Sequence, residues 1–134
     1  GGWLSVARER RVAEETSHAF DLRVASLHQP VWTLSGGNQQ KVVLGKWLST
    51  QPRVLLLDEP TRGVDVGAKQ EIYELMNRWS AAGHAIVLIT SELPELLFMS
   101  DRIIVLYRGR KVAEFGRSEA TQEKILRAAM GGKM

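Results

Sequence analysis

Two short tracts of this sequence carry residues whose types and spacing suit work on phosphates. The first is Ser35-Gly36-Gly37-Asn38. A serine just ahead of a helical stretch reads as an N-cap, and two glycines in the first turn lower helix stability by about 1 kcal/mol each relative to alanine. Glycines there leave the backbone open to close approach. A helix N-terminus with free N–H groups and a serine hydroxyl is a ready anion site. A plain N-cap on a glycine-rich turn is the simpler alternative, and the tract alone leaves both open. The second tract is Asp58-Glu59, which closes the apolar run Val54-Leu55-Leu56-Leu57. A strand ending in two carboxylates sets them at the C-terminal edge of a sheet, where α/β proteins bind ligands. Asp58 there suits Mg2+ held through water, since that ion takes few direct protein carboxylates. Glu59 suits orienting or deprotonating an attacking water. The alternative is a strand that runs into solvent through two charges and a turn at Pro60.

The elements that must position these tracts follow from periodicity. Leu4 to Phe20 is charged and free of Gly and Pro, which predicts a helix; the pattern breaks from Asp21 to Thr33, with Pro30 inside it. Ser35 caps a helix running to about Leu48, with Val42, Val43 and Trp47 on related faces. Val54 to Leu57 reads as a strand buried on both faces. From Gly67 to Ala82, the residues Ala68, Ile72, Leu75, Met76 and Trp79 recur at helical steps, and Gly83 is placed to stop that helix. Ala85 to Thr90 is a second buried strand. Glu92 to Met99 is a short helix with Pro94 in its first turn. Ile103 to Tyr107 and Lys111 to Phe115 flank Arg108-Gly109-Arg110, a hairpin signal. Thr121 to Met130 is a closing helix before Gly131. Strands alternating with helices predict an α/β fold with a mainly parallel sheet and a C-terminal hairpin.

Composition sets the outer limits. The chain has 134 residues, 44% hydrophobic and 25% charged, with a net charge of +3. That is one ordinary globular domain's worth of core. The basic residues form no run, so nothing argues for nucleic acid; Arg8, Arg10 and Arg11 alternate with Glu9, Glu14 and Glu15 as on a solvated helix face. No cysteine is present, which removes disulfides and thiolate metal sites. The apolar runs fall far short of the roughly 20 residues a membrane helix needs. His18, His28 and His84 have no neighbours that suggest a ligand or catalytic pairing.

Taken together, the two tracts resemble the signature helix and Walker B strand of ABC-type ATPases. Leu34-Ser35-Gly36-Gly37-Asn38-Gln39-Gln40-Lys41, the stretch Asp58 to Lys69 with Gly63-Val64-Asp65 as its D-loop, and the terminal Ala120-Thr121-Gln122-Glu123 are similar to the second ATPase half of monosaccharide importers of the ribose, galactose and xylose type. The resemblance implies an incomplete P-loop NTPase-like domain: 1–33 as the end of the helical subdomain and a linker, 34–134 as the C-terminal part of the ATPase core. It implies ATP and Mg2+ as cofactors, with Ser35, Gly36, Gly37, Asn38, Asp65 and Ser91 near nucleotide, Asp58 on the metal through water, and Asp58 and Glu59 as the catalytic pair. The implied partners are a complementary ATPase half, membrane permease subunits and, indirectly, a periplasmic sugar-binding protein, with no nucleic acid. The implied location is peripheral, on the cytoplasmic face of the inner membrane. The implied role is to energise sugar import, with Ser35 to Gly37 completing a partner domain's ATP site.

Two departures from the family pattern matter. A phosphate loop needs Gly, four residues, then Gly-Lys-Ser or Gly-Lys-Thr. Gly45-Lys46 has Gln40 in the first position and Trp47 after it; Gly132-Lys133 has Arg127 and Met134. Neither qualifies, so the loop is expected upstream, in a longer protein of which a chain opening on Gly1-Gly2 is a fragment, and the fragment alone is expected to be inactive. The family also places a histidine after the strand that follows the D-loop helix. Here that strand is followed by Ser91, which has no cationic form. Two other readings compete. SMC-like chromosome ATPases share the signature and Walker B order but require a long heptad coiled coil, which Leu4 to Phe20 is too short to show. A stand-alone, non-catalytic module docking on a complete ATPase domain is the other.

Overall fold

The structure is a computed structural model describing residues 5–131; Gly1-Gly2, Leu4 and Gly132-Lys133, on which parts of the sequence reading fall, lie outside them. Two compact units divide between Val87 and Leu88.

In the first unit, helix α1 (Val6–Ala19) starts at Ser5, whose hydroxyl accepts from the Arg8 N–H. Its charges pair along the exposed face, Arg10 with Glu14 and Arg11 with Glu15, as the alternating pattern implied. The Glu15 carboxylate, hydrogen-bonded to Arg11, raises that guanidinium's pKa further. A 3-10 turn at Val31–Thr33 leads to α2 (Gly36–Leu48), capped by Ser35. Strand β1 (Val54–Asp58) and helix α3 (Val66–Ala81) follow. The predicted face of α3 is the buried one: Ile72, Leu75, Met76 and Trp79 join Phe20, Leu34, Leu44, Leu55 and Leu57 in the core. The Phe20 and Trp79 rings meet at 5.7 Å between centroids. Gly45 lets α1 approach α2, since a Cβ there would stand 2.5 Å from the Thr16 methyl.

β1 pairs with β2 (Ala85–Ile89). The Ala85 N–H donates to the Arg53 carbonyl at 3.0 Å, so the two strands begin side by side and run parallel around α3. One expectation fails here. Val54 to Leu57 was expected to be buried on both faces, yet the strand alternates, with Leu55 and Leu57 inside, Val54 53% exposed and Leu56 71% exposed. Val87 and Ile89 of β2 are exposed too. Among the described residues the parallel sheet has these two strands, and only one of its faces is covered.

The second unit holds α4 (Leu93–Met99), β3 (Arg102–Tyr107), β4 (Arg110–Gly116) and α5 (Gln122–Ala129). β3 and β4 form the expected antiparallel hairpin, with Ile103 opposite Phe115 and Val105 opposite Ala113. Arg108 and Gly109 both have positive φ, 48° and 74°, the geometry of a two-residue type I′ turn. The inward residues of the hairpin pack on Ile125 and Ala128 of α5, with Leu93, Leu96 and Leu97 of α4 against them. No helix of the described residues is long and apolar enough to cross a membrane.

Candidate functional site

The Ser35 turn is built from local hydrogen bonds. Ser35 is extended (φ −59°, ψ 154°), its carbonyl accepts from the Gln39 N–H at 2.9 Å, and its Oγ accepts from the Asn38 N–H at 3.4 Å and from Asn38 Nδ2 at 3.1 Å. Asn38 is held in turn by the Arg23 N–H, which donates to Oδ1 at 3.2 Å. Gln39 Nε2 donates to the Leu34 carbonyl at 2.8 Å. A serine hydroxyl has two acceptor lone pairs and one proton. With two donors from Asn38 on its oxygen, the Ser35 hydroxyl keeps its own proton for a partner other than Asn38.

The two glycines turn out to have different reasons. Gly37 is buried, and a Cβ built on it would overlap the Ala68 methyl of α3. What approaches its backbone is therefore another helix of the same unit. Gly36 is exposed, has no positive φ, and a Cβ there would meet only the Gly63 carbonyl at an ordinary 3.7 Å. Neither backbone conformation nor packing requires glycine at 36. The Ser35 turn thus meets the segment from Gly63 to Ala68, the predicted D-loop and the start of α3. Asp65 caps α3, its Oδ1 accepting from the Ala68 N–H at 2.9 Å, which gives that residue a structural duty beside any contact with nucleotide.

Asp58 is the last residue of β1 and is exposed. Glu59, half-buried, sits at φ 48°, a left-handed conformation uncommon outside glycine that often marks a constrained functional position. The chain then turns tightly: the Arg62 N–H donates to the Glu59 carbonyl and the Val64 N–H to that of Thr61, over buried Pro60 and Thr61. The hydrogen bonds of the Ser35 turn run to Arg23, Leu34 and Asn38, and none of them to Asp58. Ser91 is exposed in the bend between β2 and α4. Among the described residues no group of three or more His, Asp or Glu could hold a metal ion, so a cation at Asp58 would draw its remaining ligands from water and phosphate, as Mg2+ does.

His18 and His28 are exposed, and His84 Nδ1 lies 2.6 Å from the Pro52 carbonyl, joining the starts of two strands. A groove of about 640 Å3 runs along α1, the following loop and α2, lined by apolar residues such as Val12, Leu27 and Val31 and by polar ones such as Arg8, Glu9 and Lys46; it includes none of Ser35, Gly36, Asp58 or Glu59. Sequence reasoning missed one pair. Lys41 of α2 is buried against Glu71 of α3, Nζ to Oε2 at 2.5 Å. The sequence carried no signal for it: Lys41 stands one helical turn beyond Gly37 and shares its face, but that this face is inward is shown by the fold alone.

The chain is similar to known proteins in sequence and in fold. A family model described as ABC transporter matches residues 6–62. The chain is 57% identical over 127 residues to a xylose import ATP-binding protein of Geobacillus kaustophilus, covering 95% of this chain and 25% of that protein. It is 58% identical to the xylose import ATP-binding protein of Moorella thermoacetica (97% and 26% covered) and 49% identical to a ribose import ATP-binding protein of Rhizobium meliloti (97% and 26%). The chain therefore spans about a quarter of the length of the curated relatives it matches. The dimeric structure of a bacterial ABC transporter cassette matches with a TM-score of 0.73 at 26% identity, over 87% of this chain and 50% of that one. A second ATP-binding cassette of an ABC transporter gives 0.79 at 25%, over 96% and 53%. The fold is thus part of a P-loop NTPase-like cassette.

Proposed function

Because the chain belongs to the ABC transporter family of ATP-binding proteins, we propose that it is part of the subunit that binds and hydrolyses ATP to drive sugar import, and that its Ser35 turn completes an ATP site held by a partner ATPase domain. Ribose and xylose import are the activities named for its relatives at 49–58% identity. The observation that carries the reading is Gly36: an exposed glycine with no structural need to be one, beside a serine hydroxyl that accepts from Asn38 at a helix N-terminus. In this reading 1–33 ends the helical subdomain and 34–134 belongs to the ATPase core. Ser35, Gly36, Gly37 and Asn38 receive the terminal phosphate of the partner's ATP. Asp65 lies beside that contact on the D-loop.

Asp58 and Glu59 serve this domain's own nucleotide site. Asp58 would hold Mg2+ through water, and the ion would supply neutralisation of charge on the transferred phosphoryl group. Glu59 would orient the attacking water. With Ser91 where the family has histidine, that site is the weaker of the two. The remaining partners are membrane permease subunits and, through them, a periplasmic sugar-binding protein, which sets the subunit peripherally at the cytoplasmic face of the inner membrane.

The test is a titration of Mg-ATP against this chain alone and against the chain with its complementary ATPase half. The expected result is no micromolar binding alone and binding that strengthens when the halves combine. Micromolar binding by the chain alone would contradict the division of labour and favour a self-contained site.

A further inference from the structure

The missed pair Lys41–Glu71 sits at the centre of a network that ends on the Ser35 hydroxyl. Lys41 keeps only 3% of its side chain exposed, Glu71 37%. A buried ammonium is costly unless it is paired and hydrogen-bonded. Lys41 satisfies that requirement twice: its Nζ lies 2.5 Å from Glu71 Oε2 and donates to the Asp21 carbonyl at 3.3 Å. Asp21 itself has φ 46°, a conformation that something must hold. Two residues on, Arg23 closes the ring. Its Nη2 donates to the other Glu71 oxygen at 3.4 Å, and its backbone N–H donates to Asn38 Oδ1 at 3.2 Å. Asn38 Nδ2 then donates to Ser35 Oγ at 3.1 Å.

The direction of each bond matters. Because the Arg23 N–H occupies Oδ1, the Asn38 amide presents its NH2 to Ser35 and the Ser35 hydroxyl keeps its own proton for another partner. If the 21–23 segment shifts, the amide can reverse and take that proton for itself. We infer that Lys41 and Glu71 are positioning residues: by clamping the Asp21–Arg23 segment across α2 and α3, they fix the Asn38 amide and so keep the Ser35 hydroxyl a donor toward the partner's terminal phosphate. This rests on the reading of Ser35 given under Proposed function.

A double-mutant cycle in the intact ATPase, with both halves present, tests it. Lys41→Met should lower kcat about tenfold or more while KM for Mg-ATP moves less than about threefold, because the phosphate contact is strengthened in the transition state and the partner's own loop holds the nucleotide. Lys41→Arg should keep kcat within about threefold. Added to Ser35→Ala, Lys41→Met should cost less than about a further twofold, since both remove the same donor. Glu71→Gln, at the more exposed end of the pair, runs the same cycle where Lys41→Met does not fold. If Ser35→Ala slows hydrolysis and Lys41→Met or Glu71→Gln adds its full loss on top, the clamp acts through something else and the inference falls alone. If Ser35→Ala leaves kcat unchanged, the phosphate reading of Ser35 falls and the positioning role falls with it.

Discussion

The turn that starts α2 and the turn that joins β3 to β4 both depend on glycine, and they depend on it differently. At the hairpin, Gly109 stands at φ 74° with nothing within 4 Å of where a Cβ would be. Backbone conformation alone explains it. At the α2 turn, Gly37 has ordinary backbone and no room, because Ala68 is in the way. Gly36 has ordinary backbone and room to spare. The comparison therefore separates one glycine that neither conformation nor packing requires, Gly36, from two that have a structural reason, its neighbour Gly37 and Gly109 of the hairpin.

Breaking the packing of the α2 turn has the largest effect. Gly37→Ala forces the Ala68 methyl aside and should destabilise the intact protein by about 1–3 kcal/mol, the range of an overpacked core. Adding Ala68→Gly to the same protein should recover much of that loss, read as the denaturation midpoint. If the single variant is as stable as the parent, α2 and α3 do not meet as described.

Gly36→Ala sharpens the contrast. Its methyl has space and removes a poor helix former, so stability should hold or rise slightly. Yet side chains in the first turn lean toward the helix N-terminus, into the approach of the phosphate, and hydrolysis should fall about tenfold or more, equivalent to about 1.4 kcal/mol of transition-state binding. Under the proposed division, in which Glu59 serves the weaker site, Glu59→Gln should cost less. Equal losses from Gly36→Ala and Glu59→Gln, measured as kcat in one preparation, would remove the assignment of this domain's main contribution to its partner's nucleotide.

Much of this was legible in the sequence where local chemistry decides. The spacing of Ala68, Ile72, Leu75, Met76 and Trp79 named the inner face of α3, and all but the half-buried Ala68 are buried. Arg108-Gly109 named its own turn. Ser35 announced the start of α2. What was not legible depends on partners distant in the chain. Nothing near Gly37 indicates that Ala68 will press on it. Lys41 reads as a surface lysine until Glu71 and the Asp21 carbonyl are seen around it. The run Val54 to Leu57 shows what a strand is able to bury on two faces, but Leu56 is exposed, because apolar character does not supply the element that would cover it. The Ser35 turn is of the same kind: residue types suggested phosphate chemistry there and at Asp58, where the strand end was itself legible, but only the fold shows that the turn packs on α3 through Gly37 and Ala68.

The hairpin provides the smallest effect and the control for the others. Glu114 on β4 faces Lys111 and Arg102. The hydrogen bond from Lys111, with its charge, and then the charge of Arg102, hold the Glu114 carboxyl below its ordinary 4.5. A carboxyl whose folded pKa is depressed contributes stability that is fully present above its unfolded value and is lost as pH falls through the folded one. Amide exchange at Ile104, the cross-strand partner of Glu114, should therefore be slightly slower in the parent than in Glu114→Gln near neutrality, with the gap closing as the pH drops well below 4.5. The sites are solvent-exposed, so added salt should narrow the gap as well. Hydrolysis should be unaffected by this variant. A gap that persists in acid would mean that Glu114 acts through packing and not charge, and a change in hydrolysis would mean that the hairpin is no neutral reference for the α2 turn.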